Sequence, residues 1–391
     1  MAEWNNTYLS DVLVDKGYIR GPFGSALKRG DMKDNGIPVY EQQHAIYNSR
    51  HFRYYIDEQK FNEMKRFQVN TDDLIISCSG TVGKVSIIRS DDPKGIISQA
   101  LLLLRVDQNK ILPLYLKYFF TSRDGYNAIV SRSSGSVQVN IAKRNVIEQI
   151  PLMLPKIETQ RKIVEILNSI DKKIEENEEI NNNLEQQAQA IYQQMFIDNA
   201  RSDWAEGTLS DIADITIGQS PSGSSYNEDG TGTIFFQGRA EFGFRFPSVR
   251  LYTTEPKRMA RSNDTLMSVR APVGDLNVAH TDCCIGRGLA AIHSKSNHQS
   301  FVLYTMFSLK KQLDVFNGEG TVFGSINRNS LNDMPILIPS DDILDEFERI
   351  VAPMDLTIRN NYDENCRLQD IRDTLLPRLM SGELDVSDID I

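Results

Sequence analysis

The stretch "ETQRKIVEILNSIDKKIEENEEINNNLEQQAQAIYQQMF" (158–196) decides the fold. It contains no Gly or Pro, and Glu, Gln and Lys, all good helix formers, dominate it. Stepping by four and three from Ile163 reaches Leu167, Ile170, Ile174, Asn177, Asn181, Leu184, Ala188, Ile191 and Met195. Apart from the two asparagines the series is apolar on a 3.5-residue repeat. That period predicts a coiled-coil seam rather than an ordinary amphipathic face. A shift of 184 residues gives Phe347, Val351, Met354, Ile358, Asn361, Asn365, Leu368, Arg372, Leu375 and Leu379. Both asparagines recur, and Asn at a seam costs stability but fixes register. Arg372 breaks the pattern where the first segment has Ala188. Pro353 stands where the first segment has Ser169, which predicts a short helix before it and a long one after it, ending near Leu376–Pro377. By analogy a bend is expected near Ile170. Two helices of about 25 residues would each span about 38 Å. Their expected partners are each other, antiparallel about a pseudo-two-fold axis, with a globular domain at either end of a rod.

Working outward, the rest of the chain repeats as well. "YLSDV" (8–12) returns as "TLSDI" (208–212), and "GIPVYEQ" (36–42) is echoed by "GTIFFQG" (232–238). "LIISCSGTVGKVSI" (74–87) aligns with "TLMSVRAPVGDLNV" (265–278), placing Gly83 on Gly274. "GSVQVNIAKRNVIEQIPLMLP" (135–155) aligns with "GTVFGSINRNSLNDMPILIP" (320–339) with one gap, so that Pro151 meets Pro335. Four matches in one order at a nearly constant offset describe a duplicated two-part protein, not a solenoid. The expected domains are 1–155, a first helical arm 156–200, a second domain 201–339, and a second arm with an acidic tail 340–391. The globular parts read as mixed α/β: "DLIISCS", "ALLLLRVD", "TLMSV" and "LAAIH" have strand character, while 112–129 and 300–316 are helix-like.

Composition narrows the class. The chain has 391 residues, a hydrophobic content of 40% and a net charge of −10. The charge is uneven: +4 over 1–155, −4 over 156–200, −1 over 201–339 and −9 over 340–391. The acid therefore sits in the arms and tail, and the domains remain compatible with nucleic acid. The start lacks the features of a signal peptide and no run is apolar enough to span a bilayer, which predicts a cytoplasmic protein with no membrane partner. Cys78, Cys283, Cys284 and Cys366 show no CxxC spacing and read as reduced; His280 and His293 near the cysteine pair make only a thin zinc signal.

"CSGTVGKVSI" (78–87) raises the one enzymatic alternative, a nucleotide site. A P-loop needs four residues between its first Gly and the Gly-Lys pair, followed by Ser or Thr. Here only Thr81 and Val82 intervene and Val85 follows, while the repeat puts Asp275 at the place of Lys84. Neither Asn-Pro-Pro-Tyr nor Asp-Pro-Pro-Tyr occurs. The residues read as a binding protein, with a coiled-coil scaffold that makes no DNA contact as a further alternative.

Two globular halves alternating with helices of the form "LPKIETQRKIVEIL" (154–167), and the ending "LLPRLMSGELDVSD" (375–388), resemble the specificity subunit of a bacterial type I restriction-modification system; "GPFGSALKRGD" (21–31) supports it. The resemblance covers the whole chain. It implies two target recognition domains, each reading half of a bipartite site in double-stranded DNA. It further implies an antiparallel coiled coil that docks two adenine-methyltransferase subunits, separate restriction and motor subunits, and no catalysis or cofactor in this chain. The coil would be built on Ile170, Ile174, Asn177, Asn181, Leu184 and Ile191 facing Ile358, Asn361, Asn365, Leu368 and Leu375.

Gln or Asn suits adenine, and Arg or Lys suits guanine or phosphate. In the first half the expected DNA contacts are Lys28, Arg29, Gln42, Gln43, Lys84, Gln138 and Lys143. In the second half they are Gln219, Gln237, Arg239, Arg270 and Arg328. The loops as sets carry this expectation, and because they differ, the two half-sites should differ. Domains about 35–40 Å apart would sit roughly one helical turn apart on DNA, so the target should be two short half-sites around unspecified bases.

Overall fold

The computed structural model describes residues 4–23, 26–133, 139–318, 324–386 and 389. The chain divides into two compact units, Met1–Glu175 with Asn365–Ile391, and Glu176–Glu364. Both are mixed α/β.

In the first unit Leu13–Arg20, Leu101–Val106, Leu74–Ser77 and Val85–Ile87 form an antiparallel sheet in that order. A second sheet has the order Tyr55–Ile56, Ile37–Tyr40, Ile96–Ile97, with Ile37–Tyr40 and Ile96–Ile97 parallel. Asn5–Tyr8 pairs with Pro151–Leu154. The second unit repeats the plan. Ala213–Ile217, Leu289–Ser294, Thr265–Ser268 and Leu276–Val278 form the corresponding sheet. Thr233–Phe236 runs parallel to Cys283–Ile285, and Ala205–Thr208 pairs with Pro335–Ile338. Strands such as "LIIS" are buried on both faces, which is why they read as continuous apolar runs instead of alternating ones.

Two long helices, Ile157–Tyr192 and Asp341–Met380, contribute to both units. They have 36 and 40 residues, longer than expected, and span about 54 and 60 Å at the usual rise. The expected break at Pro353 does not occur, nor does the helix end at Pro377; both prolines lie inside one continuous helix. A mid-helix proline costs about 3 kcal/mol. Here Pro353 is exposed while Phe347, Val351 and Ile358 on the other side are fully buried. Each such side chain gains roughly 1.5–3 kcal/mol on burial, so packing outweighs the lost hydrogen bond. The first helix likewise runs through Ile170 without interruption and passes into a π-helical turn at Gln193–Asp198.

Each unit packs a shorter helix, Pro113–Thr121 in the first and Gln299–Ser308 in the second, against the long helices. In the second, Ala188, Tyr192, Phe347, Val351 and Ile358 share a core with Met267, Ile292 and Phe301. In the first, Ile163, Leu167, Leu376 and Leu379 share one with Leu74, Leu104 and Tyr115. A tyrosine–aspartate bond recurs at this junction: Tyr118 Oη donates to Asp171 and Tyr304 Oη to Asp355, both at 2.8 Å. In the second unit the nearly buried Arg245 adds ion pairs to Asp355 and Glu185.

Of the proposed seam, Ile174, Asn177, Asn181, Ile358 and Asn365 are buried, and Ile170, Leu184, Ile191, Asn361, Leu368 and Leu375 are half-buried. Within the second unit Asn361 donates to Asn181 Oδ1 at 2.8 Å and Asn177 to Glu364 at 2.7 Å. Asn181 Nδ2 lies 3.5 Å from the Ile358 carbonyl there; at the positions 184 residues removed, in the first unit, Asn365 Nδ2 lies 3.5 Å from the Ile174 carbonyl. In both units the paired residue numbers rise on one helix as they fall on the other, so the helices run antiparallel. Arg372 is accommodated by Asp171 at 3.2 Å.

Candidate nucleic-acid interface

The turn after Leu74–Ser77 and the turn after Thr265–Ser268 are the same object in backbone terms. In the first, Gly83 N–H donates to the Ser77 carbonyl at 3.0 Å and Lys84 N–H to Ser77 Oγ at 3.0 Å. In the second, Gly274 N–H donates to the Ser268 carbonyl at 2.9 Å and Asp275 N–H to Ser268 Oγ at 3.0 Å. Gly83 has φ +87° and Gly274 φ +83°, a region that disfavours any residue with a Cβ. Both turns lead into a strand. A nucleotide loop needs a helix N-terminus at that point, so the turn at 78–87 lacks the phosphate-binding geometry. Burial pushes the Cys78 thiol up to about 12, which keeps it protonated and inert.

A second loop joins each turn. Gly80 N–H donates to the Val139 carbonyl at 2.9 Å and Ile141 N–H to the Cys78 carbonyl at 2.9 Å. Correspondingly, Ala271 N–H donates to the Gly324 carbonyl at 3.0 Å and Ile326 N–H to the Val269 carbonyl at 3.0 Å. The bridges Ser79–Asn140 and Arg270–Ser325 are therefore equivalent.

In the first unit Gln42 Oε1 accepts from Ser79 N–H at 3.2 Å, and Ser79 Oγ bonds Asn140 Oδ1 at 2.5 Å. This brings three loops together. Gln43 donates to the His51 carbonyl at 3.1 Å. Lys84 is exposed and its ammonium lies 5.0 Å from the Tyr126 ring centroid. Lys143 is exposed at the start of the short helix Arg144–Ile147, close in sequence to Asn140. Lys28 and Arg29 are exposed in a turn closed by Asp31, and no hydrogen bond or ion pair among the described residues joins them to the Gln42–Ser79 cluster. Gln138 lies outside the described residues.

In the second unit Gln237, Arg239 and Arg270 line one cavity of about 250 Å³, with Ser220 and Arg287. Arg239 is paired with Asp275, which also holds Lys310 at 3.1 Å. Gln219 is exposed, anchored through its N–H to the Ile285 carbonyl at 2.9 Å. Arg328 is exposed at the start of Arg328–Asn332, a short helix capped by Asn327. The cysteines near His280 and His293 are buried, and these imidazoles face Asp363 and Asp264 instead.

Residues 3–186 match the type I restriction modification DNA specificity domain. A putative type I restriction enzyme MjaX specificity subunit of Methanocaldococcus jannaschii is 29% identical over 358 residues, covering 85% of this chain and 83% of that protein. The HindI specificity subunit of Haemophilus influenzae is 23% identical and covers 77% of this chain and 84% of its own length. Over these spans the chain is similar to the type I restriction-modification specificity subunits. The solved S subunit from M. genitalium shares the fold, with a TM-score of 0.62 at 15% identity over 97% of this chain and 96% of that one.

Arg287, which lines the cavity beside Gln237 and Arg270, carries no mark of its own in the sequence. It lies in "IGRGL" (285–289), where neither repeat nor motif marks it. Only strand pairing shows its place. Phe236 pairs with Ile285 and Ser268 with Leu289, so 286–288 crosses directly under the Gln237 loop. The paired glycines were the available signal: a Cβ on Gly286 or Gly288 would come within 2.8 or 3.0 Å of the Gln237 carbonyl oxygen.

Proposed function

We propose that this chain is the DNA-reading subunit of a type I restriction-modification complex and has no catalytic role of its own. Each unit reads one half of a bipartite, gapped target in double-stranded DNA. The long helices form one antiparallel coiled coil through the Ile174, Asn177, Asn181 and Leu184 positions facing Ile358, Asn361, Asn365 and Leu368, and dock two adenine-methyltransferase subunits. Restriction and motor subunits bind the assembled complex.

The observation that carries this reading is the pair of loop clusters. The two have matching backbone hydrogen bonds and different exposed side chains, which is what two readers of two unlike half-sites require. The near-neutral second domain supports a division of labour in which partner subunits supply much of the phosphate contact. Co-expression with a partner adenine methyltransferase, followed by mapping of methylated adenines, tests it. Two short specified half-sites around unspecified bases are expected; a single continuous motif overturns the proposal.

A further inference from the structure

We propose that Arg270 and Arg287 are the base-reading pair of the second unit, and that its half-site carries guanine where they bind. This rests on the DNA-recognition reading above. The two arginines line the same cavity, one from the turn after Thr265–Ser268 and one from the connection between Cys283–Ile285 and Leu289–Ser294. Both are exposed, and neither guanidinium makes an ion pair or hydrogen bond among the described residues. Their backbones are fixed. Arg270 bridges Ser325, and Arg287 N–H donates to Ser220 Oγ at 3.3 Å. The third arginine of the cavity, Arg239, is already neutralised by Asp275. Two unpaired guanidiniums held in one concavity repel each other until acceptors enter. The N7 and O6 atoms of guanine match the guanidinium fork in a bidentate pair.

A phosphate role would be sequence-independent, and both units would then need it. They do not share it. Register equates Arg270 with Ser79 through the bridges to Ser325 and Asn140. It equates Arg287 with Gln99, because Tyr40–Ile97 and Ser77–Leu101 pair as Phe236–Ile285 and Ser268–Leu289 do. A charged pair in one unit and an uncharged pair in the other, on the same backbone, is a difference in specificity. Gly238, where the first unit has Gln42, leaves the cavity open for a base edge to enter.

The test uses the full chain with its methyltransferase subunits, comparing methylated sites for the wild type, Arg270→Ala, Arg287→Ala and the conservative Arg270→Lys. Each Ala variant is expected to lose discrimination at a guanine in one half-site only, by roughly 5- to 150-fold, with the other half-site unchanged. Wild-type complex on duplexes carrying 7-deazaguanine at that position should show a matching loss of affinity, and the Ala variant no further loss. This arm needs no mutant to fold. A wild-type motif with no guanine in either half, an unaltered motif in the variants, or a uniform loss over all sites with a shallower salt dependence each overturns the assignment. Absence of any two-part motif in the wild type instead removes the recognition reading beneath it.

Discussion

The two turns at 77–85 and 268–276 share their backbone hydrogen bonds to within 0.1 Å, yet one presents Ser79 and Lys84 where the other presents Arg270 and Asp275. The junctions with the long helices differ in a second way. Asp171 is met by Tyr118, Lys117 and Arg372 in a partly exposed setting, whereas Asp355 is met by Tyr304 and by Arg245, whose side chain is only 5% exposed. The duplicated plan keeps the geometry that closes a turn and docks a helix. It leaves free the side chains that nothing in the fold consumes.

The largest effect should separate the two junctions. Arg245→Ala strands the Glu185 and Asp355 carboxylates beside each other and should destabilise the second unit by about 3 kcal/mol. Arg372→Ala, at a more solvated pair, should cost the first unit under about 1 kcal/mol. The chain has two tryptophans, Trp4 in the first unit and Trp204 in the core of the second, so single-tryptophan variants read each unit's denaturant midpoint separately. Equal shifts at the two junctions would break the contrast.

Next come the turn glycines. A Cβ at Gly274 would meet Leu313 at 3.0 Å, while one at Gly83 would meet Tyr126, Ile129 and Val130 at 3.3–3.4 Å, with φ positive at both. Gly274→Ala should cost about 2–3 kcal/mol and Gly83→Ala about 1–2 kcal/mol by the same midpoints. In the helices, Asn361→Leu leaves Asn181 without its 2.8 Å donor and should cost about 1 kcal/mol. The double variant Asn181→Leu/Asn361→Leu should recover that loss, because an all-apolar pair needs no partner; a double-mutant cycle measures the coupling.

The smallest effect concerns the two shared caps. Tyr8 N–H holds the Asp11 carboxyl below its ordinary value, and Thr208 N–H and hydroxyl do the same for Asp211. A lowered folded pKa stabilises above the unfolded value and is lost as pH falls through the folded one. Asp11→Asn and Asp211→Asn should therefore lower the urea midpoint at neutral pH, and the gap to the wild type should narrow as the pH falls below the ordinary aspartate value. Unequal closure in the two units would show that the caps are not equivalent.

Much of this was legible in the sequence, because the duplication preserved the residues that a backbone cannot do without. Gly83 and Gly274 mark the positive-φ turns, Pro151 and Pro335 begin the pairing strands, and the aspartates of "YLSDV" and "TLSDI" cap the same short helix. The heptad marked the helices for the same reason. Their continuity through Pro353 was not legible, since a local helix penalty says nothing of the buried face opposite it. Nor was the cavity. Arg287 reaches the Gln237 loop only through the parallel pairing of Phe236 with Ile285, a contact between distant segments that leaves no local pattern.

Gly382 lies against the Trp4 indole, and Leu376, Leu379 and Val386 complete the core around Leu9 and Leu152. Every residue of the second unit, Glu176–Glu364, lies between these halves of one core. On the ribosome, then, the core around Leu9 and Leu152 is completed only after the second unit has been made, and the apolar face left open in the interval is what a chaperone would meet.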